Sequence, residues 1–243
     1  PILGVAVDLD NWSFTLDYYN ISVEDRIALG ANIDFLAALN YAGGSSYGSV
    51  SDALTGLGDS GAITRTDFVG LEDLKQFRFF TNGFSTTTKG VGLVGSVDFD
   101  AMGGASTLTF AFNYNETTVD SRGSINPISD GRVEALEDQL PNLKGNVAWS
   151  HTMGNIRALV RANYYGAWTS TSNGYSVGST TLVDLQLAYQ VTEDLELTVG
   201  ADNLFDEYPD KTPNPGGVGQ LYPEDSPLGF NGGSWYIQGR YNF

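Results

Sequence analysis

Residues Ser234–Phe243 read SWYIQGRYNF. Taken alternately, Trp235, Ile237, Gly239, Tyr241 and Phe243 form an apolar set, and Ser234, Tyr236, Gln238, Arg240 and Asn242 a polar one. A period of two is the mark of a β-strand with one apolar and one polar face. The same period runs back through the chain. Leu195, Leu197, Val199, Ala201, Asn203 and Phe205 alternate with Glu196, Thr198, Gly200, Asp202 and Leu204. Val183, Leu185, Leu187, Tyr189 and Val191 alternate with Asp184, Gln186, Ala188 and Gln190. Leu108, Phe110, Phe112 and Tyr114 face away from Thr107, Thr109, Ala111 and Asn113, and Trp12, Phe14, Leu16 and Tyr18 away from Ser13, Thr15, Asp17 and Tyr19. Further strands are expected near 90–98, 143–151 and 156–168.

The connections sort by length. Asp10-Asn11, Asp98–Gly104, Thr152–Asn155 and Thr192–Asp194 are short and turn-like; between them lie long ones, near 28–74, 120–140, 169–178 and 207–232. Strict alternation of short and long predicts an up-and-down meander with one tight rim and one elaborate rim, the layout of a transmembrane barrel. Several runs are long enough for a tilted strand to span a bilayer, about 9–11 residues. Aromatics gather at strand ends (Trp12, Tyr18, Tyr19, Tyr164, Tyr165, Trp168, Trp235, Tyr241), as interfacial girdles require. The expected fold is all-β: an antiparallel, up-and-down transmembrane β-barrel, of which about nine strands are visible. Within the first long connection, Ile33–Leu39, with Phe35, Leu36 and Leu39, reads as a short amphipathic helix that folds that loop down.

Composition narrows the chemistry. The chain has 243 residues and a formal net charge of −17, from 12 basic and 29 acidic residues, which argues against a nucleic-acid partner. The acidic excess falls largely in loops and turns, where it repels anions and favours cations or metal-bridged lipopolysaccharide. Cysteine is absent, so thiol catalysis and disulfides are excluded, and His151 is the single histidine. No run of eighteen apolar residues exists to form a transmembrane helix. The mean hydropathy of −0.15 is compatible with a barrel, whose alternating faces average to near zero.

An amphipathic last strand ending in Phe resembles the closing strand of bacterial outer-membrane proteins. That resemblance implies that Trp235, Ile237, Tyr241 and Phe243 belong to a signal read by the barrel-assembly machinery. The stretch GADNLFDEYPDK at 200–211, followed by a Gly/Pro-rich loop and SPLGFNGGSWYIQGRYNF, resembles the C-terminal end of TonB-dependent outer-membrane receptors, with their NLFD-x-x-Y motif and R/S-Y-x-F ending. DYYNISVEDRI at 17–27, FRFFTNGFSTTTKGVGLVGSVDFD at 77–100 and ANYYGAW at 162–168 extend the resemblance across the chain.

Family barrels have roughly 22 strands and a plugged lumen. The family's plug and TonB box have no counterpart in these residues, and a periplasmic C-terminus would put residue 1 at the opposite rim. Residues 1–243 are therefore expected to be the C-terminal segment of a larger receptor barrel, with the plug outside this chain. The resemblance implies uptake of a scarce small molecule, such as a ferric siderophore, cobalamin or a glycan, across the bacterial outer membrane. The energy would arrive through TonB acting on the plug; the chain itself would be no enzyme and carry no cofactor. The rival expectation is a small self-contained barrel acting as a passive pore or adhesin, for which eight or ten strands would close.

Several residues invite a sharper reading. Asp202, Asn203, Asp206, Glu207 and Asp210 cluster oxygens as a Ca²⁺ site does, but their spacing matches no Ca²⁺ loop. They read as a strand end plus turn acids: parity points Asp202 to the lumen, and Asn203 and Asp206 can bond their own backbone to shape the exit. No metal site is expected. His151 stands on the apolar face near a short turn, with no Ser or Asp in a triad-like relation to it. Arg157, Arg161 and Asn163 share one face, opposite Ile156, Ala158, Val160 and Ala162, and have Asp17, Asp184 and Glu196 as available partners. The lumen-facing candidates are Arg157, Arg161, Asp184 and Asp202, more readily structural than a ligand guide. Tyr175, Tyr208, Tyr222 and Phe230 in loops, with Trp168 at a strand end, form either a ligand platform at the mouth or packing anchors.

Overall fold

The computed structural model describes residues 1–123, 127–213, 215 and 219–243. The strands are β1 (Ile2–Leu9), β2 (Trp12–Leu29), β3 (Ile33–Asp34), β4 (Gln76–Phe77), β5 (Phe80–Ala101), β6 (Gly104–Arg122), β7 (Leu143–Met153), β8 (Ile156–Tyr165), β9 (Trp168–Ser170), β10 (Tyr175–Val177), β11 (Thr180–Gln190), β12 (Leu195–Asp202) and β13 (Ser234–Tyr241). The helices are α1 (Phe35–Gly43), α2 (Val50–Asp59) and α3 (Asp130–Glu137). The chain divides into two compact units, one of Pro1–Ser22, Thr86–Val119 and Gly131–Phe243, the other of Val23–Ser85 and Asp120–Asp130.

The first unit is built on a nine-stranded sheet in the order β1-β2-β5-β6-β7-β8-β11-β12-β13, with every sequential wall strand hydrogen-bonded to the next. This is the antiparallel meander that the alternation of loop lengths requires. Its turns are tight at one end: Leu9 pairs with Trp12 around Asp10-Asn11, and Met102 and Gly103 (φ 49° and 77°) make a two-residue turn between β5 and β6. Positive φ at both central residues matches the right-handed twist of the flanking strands.

Register stacks like residues on like faces. Val199 pairs with Ile237 and Leu187, and Leu185 with Val160; on the opposite face Glu196 pairs with Arg240 and Gln190, and Asp184 with Arg161. The apolar face is the exposed one: Leu187 and Val199 are each 52% accessible and Ile237 70%. In a water-soluble sheet this face would be covered; here it is the pattern of a sheet that meets hydrocarbon. No helix among the described residues is long and apolar enough to cross a membrane, so crossing falls to strands. Glycines let large rings lie across neighbouring strands. A Cβ on Gly95 would stand 2.9 Å from Phe14 Cβ and 2.6 Å from Phe110 Cζ, and one on Gly200 would strike the Tyr236 ring.

The second unit has a conventional core. Asp34 caps α1 by accepting the Ala37 N–H at 2.7 Å, and Ser49 caps α2 by accepting the Asp52 N–H at 3.1 Å. The apolar faces of the two helices meet: Phe35 and Leu39 pack with Ala53, Leu54 and Leu57. Phe68 and Phe77 add ring contacts to Phe35, with centroids 6.4 and 5.8 Å away. The expected helix is present, running from Phe35 to Gly43. Its apolar residues are taken up by α2, so the loop builds a core of its own.

Two expectations are corrected. The strand expected near 90–98 is longer, running as β5 over 22 residues from Phe80, whereas β2 ends at Leu29, where the connection near 28–74 is expected to begin. In β2 the apolar set changes phase between Tyr18 and Ile21, from Trp12, Phe14, Leu16 and Tyr18 to Ile21, Val23, Ile27 and Leu29, and Asp25 stands further along at φ 52°. The strand expected over 156–168 ends at Tyr165, and Trp168–Ser170 pairs instead with Tyr175–Val177 as a separate ribbon.

Candidate functional site

Polar side chains with several partners concentrate where β8, β11, β12 and β13 run into the connections 166–179 and 203–233. The turn after β12 organises them. Asn203 follows the last residue of β12 and adopts φ 51°, the left-handed region that Asn tolerates better than most residues. Its side chain accepts the Glu207 N–H at 3.0 Å and donates to the Glu207 carbonyl at 2.8 Å, while its carbonyl accepts the Asp206 N–H at 2.9 Å. Asn203 is buried, with every polar group so placed.

This turn is tied to both neighbouring strands. The Asn203 N–H donates to Asp184 Oδ1 on β11 at 3.0 Å, and Asp184 Oδ2 accepts from Asn163 Nδ2 on β8 at 2.9 Å. Asp206 Oδ1 accepts the Gly233 N–H at 2.8 Å, immediately before β13. Asp206 also hydrogen-bonds the Tyr208 phenol, which raises the Tyr208 pKa above its ordinary value of 10.0, with desolvation and the Asp206 charge acting in the same direction. A side chain on Gly232 (φ 72°) would strike Tyr208 OH and Asp206 Oδ1, so only glycine fits there.

The loop aromatics are brought together in part. Tyr208 and Tyr222 stack with centroids 5.0 Å apart and planes 10° apart. Tyr175 donates to the Asp210 carbonyl at 3.3 Å, and Asp210 Oδ2 accepts the Gly178 N–H at 2.7 Å. A second carboxylate, Asp225, accepts Ser170 Oγ at 2.8 Å and joins the last loop to the β9–β10 ribbon. Nothing in the spacing of Asp225 or Ser170 marks them, because they lie 55 residues apart. Trp168 is only 4% accessible and its indole Nε1 is the one buried side-chain N or O without a partner among the described residues. It stands in the same ribbon as Tyr175, with Trp168 opposite Val177 and Tyr175 opposite Ser170.

Arg157 forms an ion pair with Glu196 in which one nitrogen, Nη2, donates to both carboxylate oxygens at 3.0 Å. Arg161 lies opposite Asp184 in register, on the same polar face, but the Asp184 carboxylate is occupied by Asn163 and by the Asn203 N–H. Asp202 pairs with Ser234 on that face. Trp235, Ile237 and Tyr241 line the apolar face of β13, and Phe243 packs edge-on against Tyr241 at 5.2 Å. A cavity of about 340 Å³ opens near Asn113, Lys144, Asn146 and Asn163. His151 Nδ1 lies 2.9 Å from Ser106 Oγ, and its ring stacks on Trp149. Among the described residues no three His, Cys, Asp or Glu side chains lie close enough to hold a metal ion. These contacts join strands and loops; none poises a nucleophile against a base and an orienting group.

The sequence matches the family model described as TonB dependent receptor-like, beta-barrel over residues 3–204. No curated protein matches it. Among solved structures, the siderophore receptor PirA from Acinetobacter baumannii is similar, with a TM-score of 0.59 and 17% identity, over 100% of this chain and 31% of that one. A mutant ferric enterobactin receptor PfeA from Pseudomonas aeruginosa gives a TM-score of 0.59 at 16% identity, over 100% of this chain and 30% of that one. The copper transporter OprC gives 0.57 at 15% identity, over 100% of this chain and 29% of that one. The chain thus spans less than a third of the length of these structures.

Proposed function

The chain belongs to the TonB-dependent receptor β-barrel family, and from that premise we propose that it forms part of the wall and surface loops of an outer-membrane active transporter. The observation that carries this reading is the inverted sheet: nine strands whose apolar side chains are the exposed ones, with polar residues paired on the other face. Such a sheet is stable in hydrocarbon only as part of a closed wall, since a free edge leaves backbone groups unbonded. β1 and β13 are the ends of the strand order among the described residues. In this reading residues 1–243 are the C-terminal segment of a larger barrel, with Arg157, Arg161, Asp184 and Asp202 facing its lumen.

Family membership implies ligand binding and an interaction with TonB, which in this reading works through a plug outside this chain. The cargo is a small molecule of the siderophore, cobalamin or glycan kind, met first by loops bearing Tyr175, Tyr208 and Tyr222. β13, with Trp235, Ile237, Tyr241 and Phe243, presents the signal for the barrel-assembly machinery, and the apolar face meets lipid and lipopolysaccharide.

The test is uptake. A strain lacking the gene is compared with its parent for accumulation of labelled ferric siderophores, cobalamin and oligosaccharides, each with and without TonB. Loss of one cargo in the deletion strain, reproduced by loss of TonB, is the expected result. Uptake that persists without TonB but vanishes with the gene would replace active transport with a passive pore.

A further inference from the structure

The closing strand β13 needs an instruction for its register that its own sequence cannot supply. Among the described residues it pairs with β12 alone, and the connection between them runs over residues 203–233. So long a loop constrains its ends weakly. The apolar pattern excludes a slip of one residue, because Trp235 and Ile237 would turn to the polar face. It does not exclude a slip of two. With side chains repeating every second residue, such a slip returns every apolar residue to the apolar face, opposite a different partner.

We infer that the turn Asn203–Tyr208, together with Gly232 and Gly233, is the register lock of the closing strand. Asn203 anchors the turn to the end of β12 through Glu207 and to β11 through Asp184. Asp206 then holds the Gly233 N–H, one residue before Ser234, whose partner is Asp202, one residue before Asn203. The lock has a steric half as well. Any Cβ at position 232 strikes Tyr208 OH and Asp206 Oδ1, and one at 233 stands 2.7 Å from the Asn203 carbonyl oxygen. A slip of two in either direction brings Phe230 or Ser234 into the slot of Gly232, where neither fits. Only the register with two consecutive glycines in these slots satisfies both halves, and it is the register observed.

Cross-linking in the full-length protein tests this. Residues 1–243 hold no cysteine, so the introduced thiols are the only ones in this segment, and any cysteine elsewhere in the full-length protein is replaced by serine first. Val199→Cys is combined with Ile237→Cys, its observed partner, or with Trp235→Cys or Gly239→Cys, the partners in the two slipped registers. In the parent background only the first pair is expected to oxidise efficiently. Adding Asp206→Ala, which removes the acceptor for the Gly233 N–H, is expected to raise the slipped products about tenfold relative to the parent. Asp206→Asn, which keeps an acceptor oxygen, is expected to restore the parent pattern. If Asp206→Ala yields no folded barrel, Tyr208→Phe loosens the carboxylate without removing it, and slipped products above the parent level then support the lock. Slipped products at parent level in the folded variant, whichever of the two it is, would overturn it.

Discussion

Asp206 shows how one side chain can join two ends of a long connection. Its carboxylate holds the Gly233 N–H and the Tyr208 phenol together. The phenol is an acid whose folded pKa is raised, so the bond is intact below the ordinary tyrosine range and is lost as pH rises through the folded value. The expected result is that tyrosinate absorbance contributed by Tyr208, taken as the parent minus Tyr208→Phe, appears later than pH 10, and moves back towards 10 in Asp206→Ala. The Arg157–Glu196 pair is partly exposed, with the arginine side chain 51% accessible. Replacing Arg157 by Ala is therefore expected to lower stability by only about 0.5 kcal/mol, read from urea unfolding in detergent. The turn-forming role of Asn203 and Asp206 was legible in the motif itself, since Asn and Asp tolerate positive φ and bond nearby backbone. What the motif could not show is that Asp206 reaches Gly233, 27 residues on, because the sequence carries no measure of that approach.

Among the elements, the strands and the helices of the first long loop were legible to different degrees. The alternation of apolar and polar residues revealed β11, β12 and β13 because each keeps an unbroken period of two. It concealed the first part of β5, where a polar run, Thr86–Lys89, breaks the period, and in β2 the apolar set changes phase between Tyr18 and Ile21. The helix α2 was missed because its mixed run VSDALTGLGD has an apolar stripe only three residues deep: Ala53, Leu54 and Leu57. That stripe is nonetheless the floor of the loop core, and Leu57 is 2% accessible. Leu57→Ala is expected to destabilise this core by about 3 kcal/mol. Limited proteolysis should then find new cleavage confined to residues 30–79, with the wall strands still protected. The same element logic applies to Gly200, under the Tyr236 ring: Gly200→Val is expected to force that ring off β12 and weaken the last hairpin, seen as a lower melting temperature in detergent.

At the scale of the whole molecule, the two faces of the sheet have opposite requirements. Leu187 is in the middle of β11 on the exposed apolar face, and Gln186 beside it is on the polar face. If the apolar face meets hydrocarbon, Leu187→Arg is expected to cost about 2–4 kcal/mol in lipid vesicles, and Gln186→Arg far less. Equal effects at the two positions would remove the basis for placing this sheet in a bilayer. The fold class, the alternation of short and long connections, the expected count of about nine strands and the kinship to TonB-dependent receptors were all determined by the sequence alone. They rest on local periodicity and short motifs, which a linear string records in full. The tertiary structure alone decided that the first long loop packs a core of its own, that Asp225 and Asp210 fasten the last loop to the β9–β10 ribbon, and that Asp206 meets Gly233. Each of these depends on which distant residues come within hydrogen-bond or packing distance, and that is set by the register of paired strands and the path of long loops.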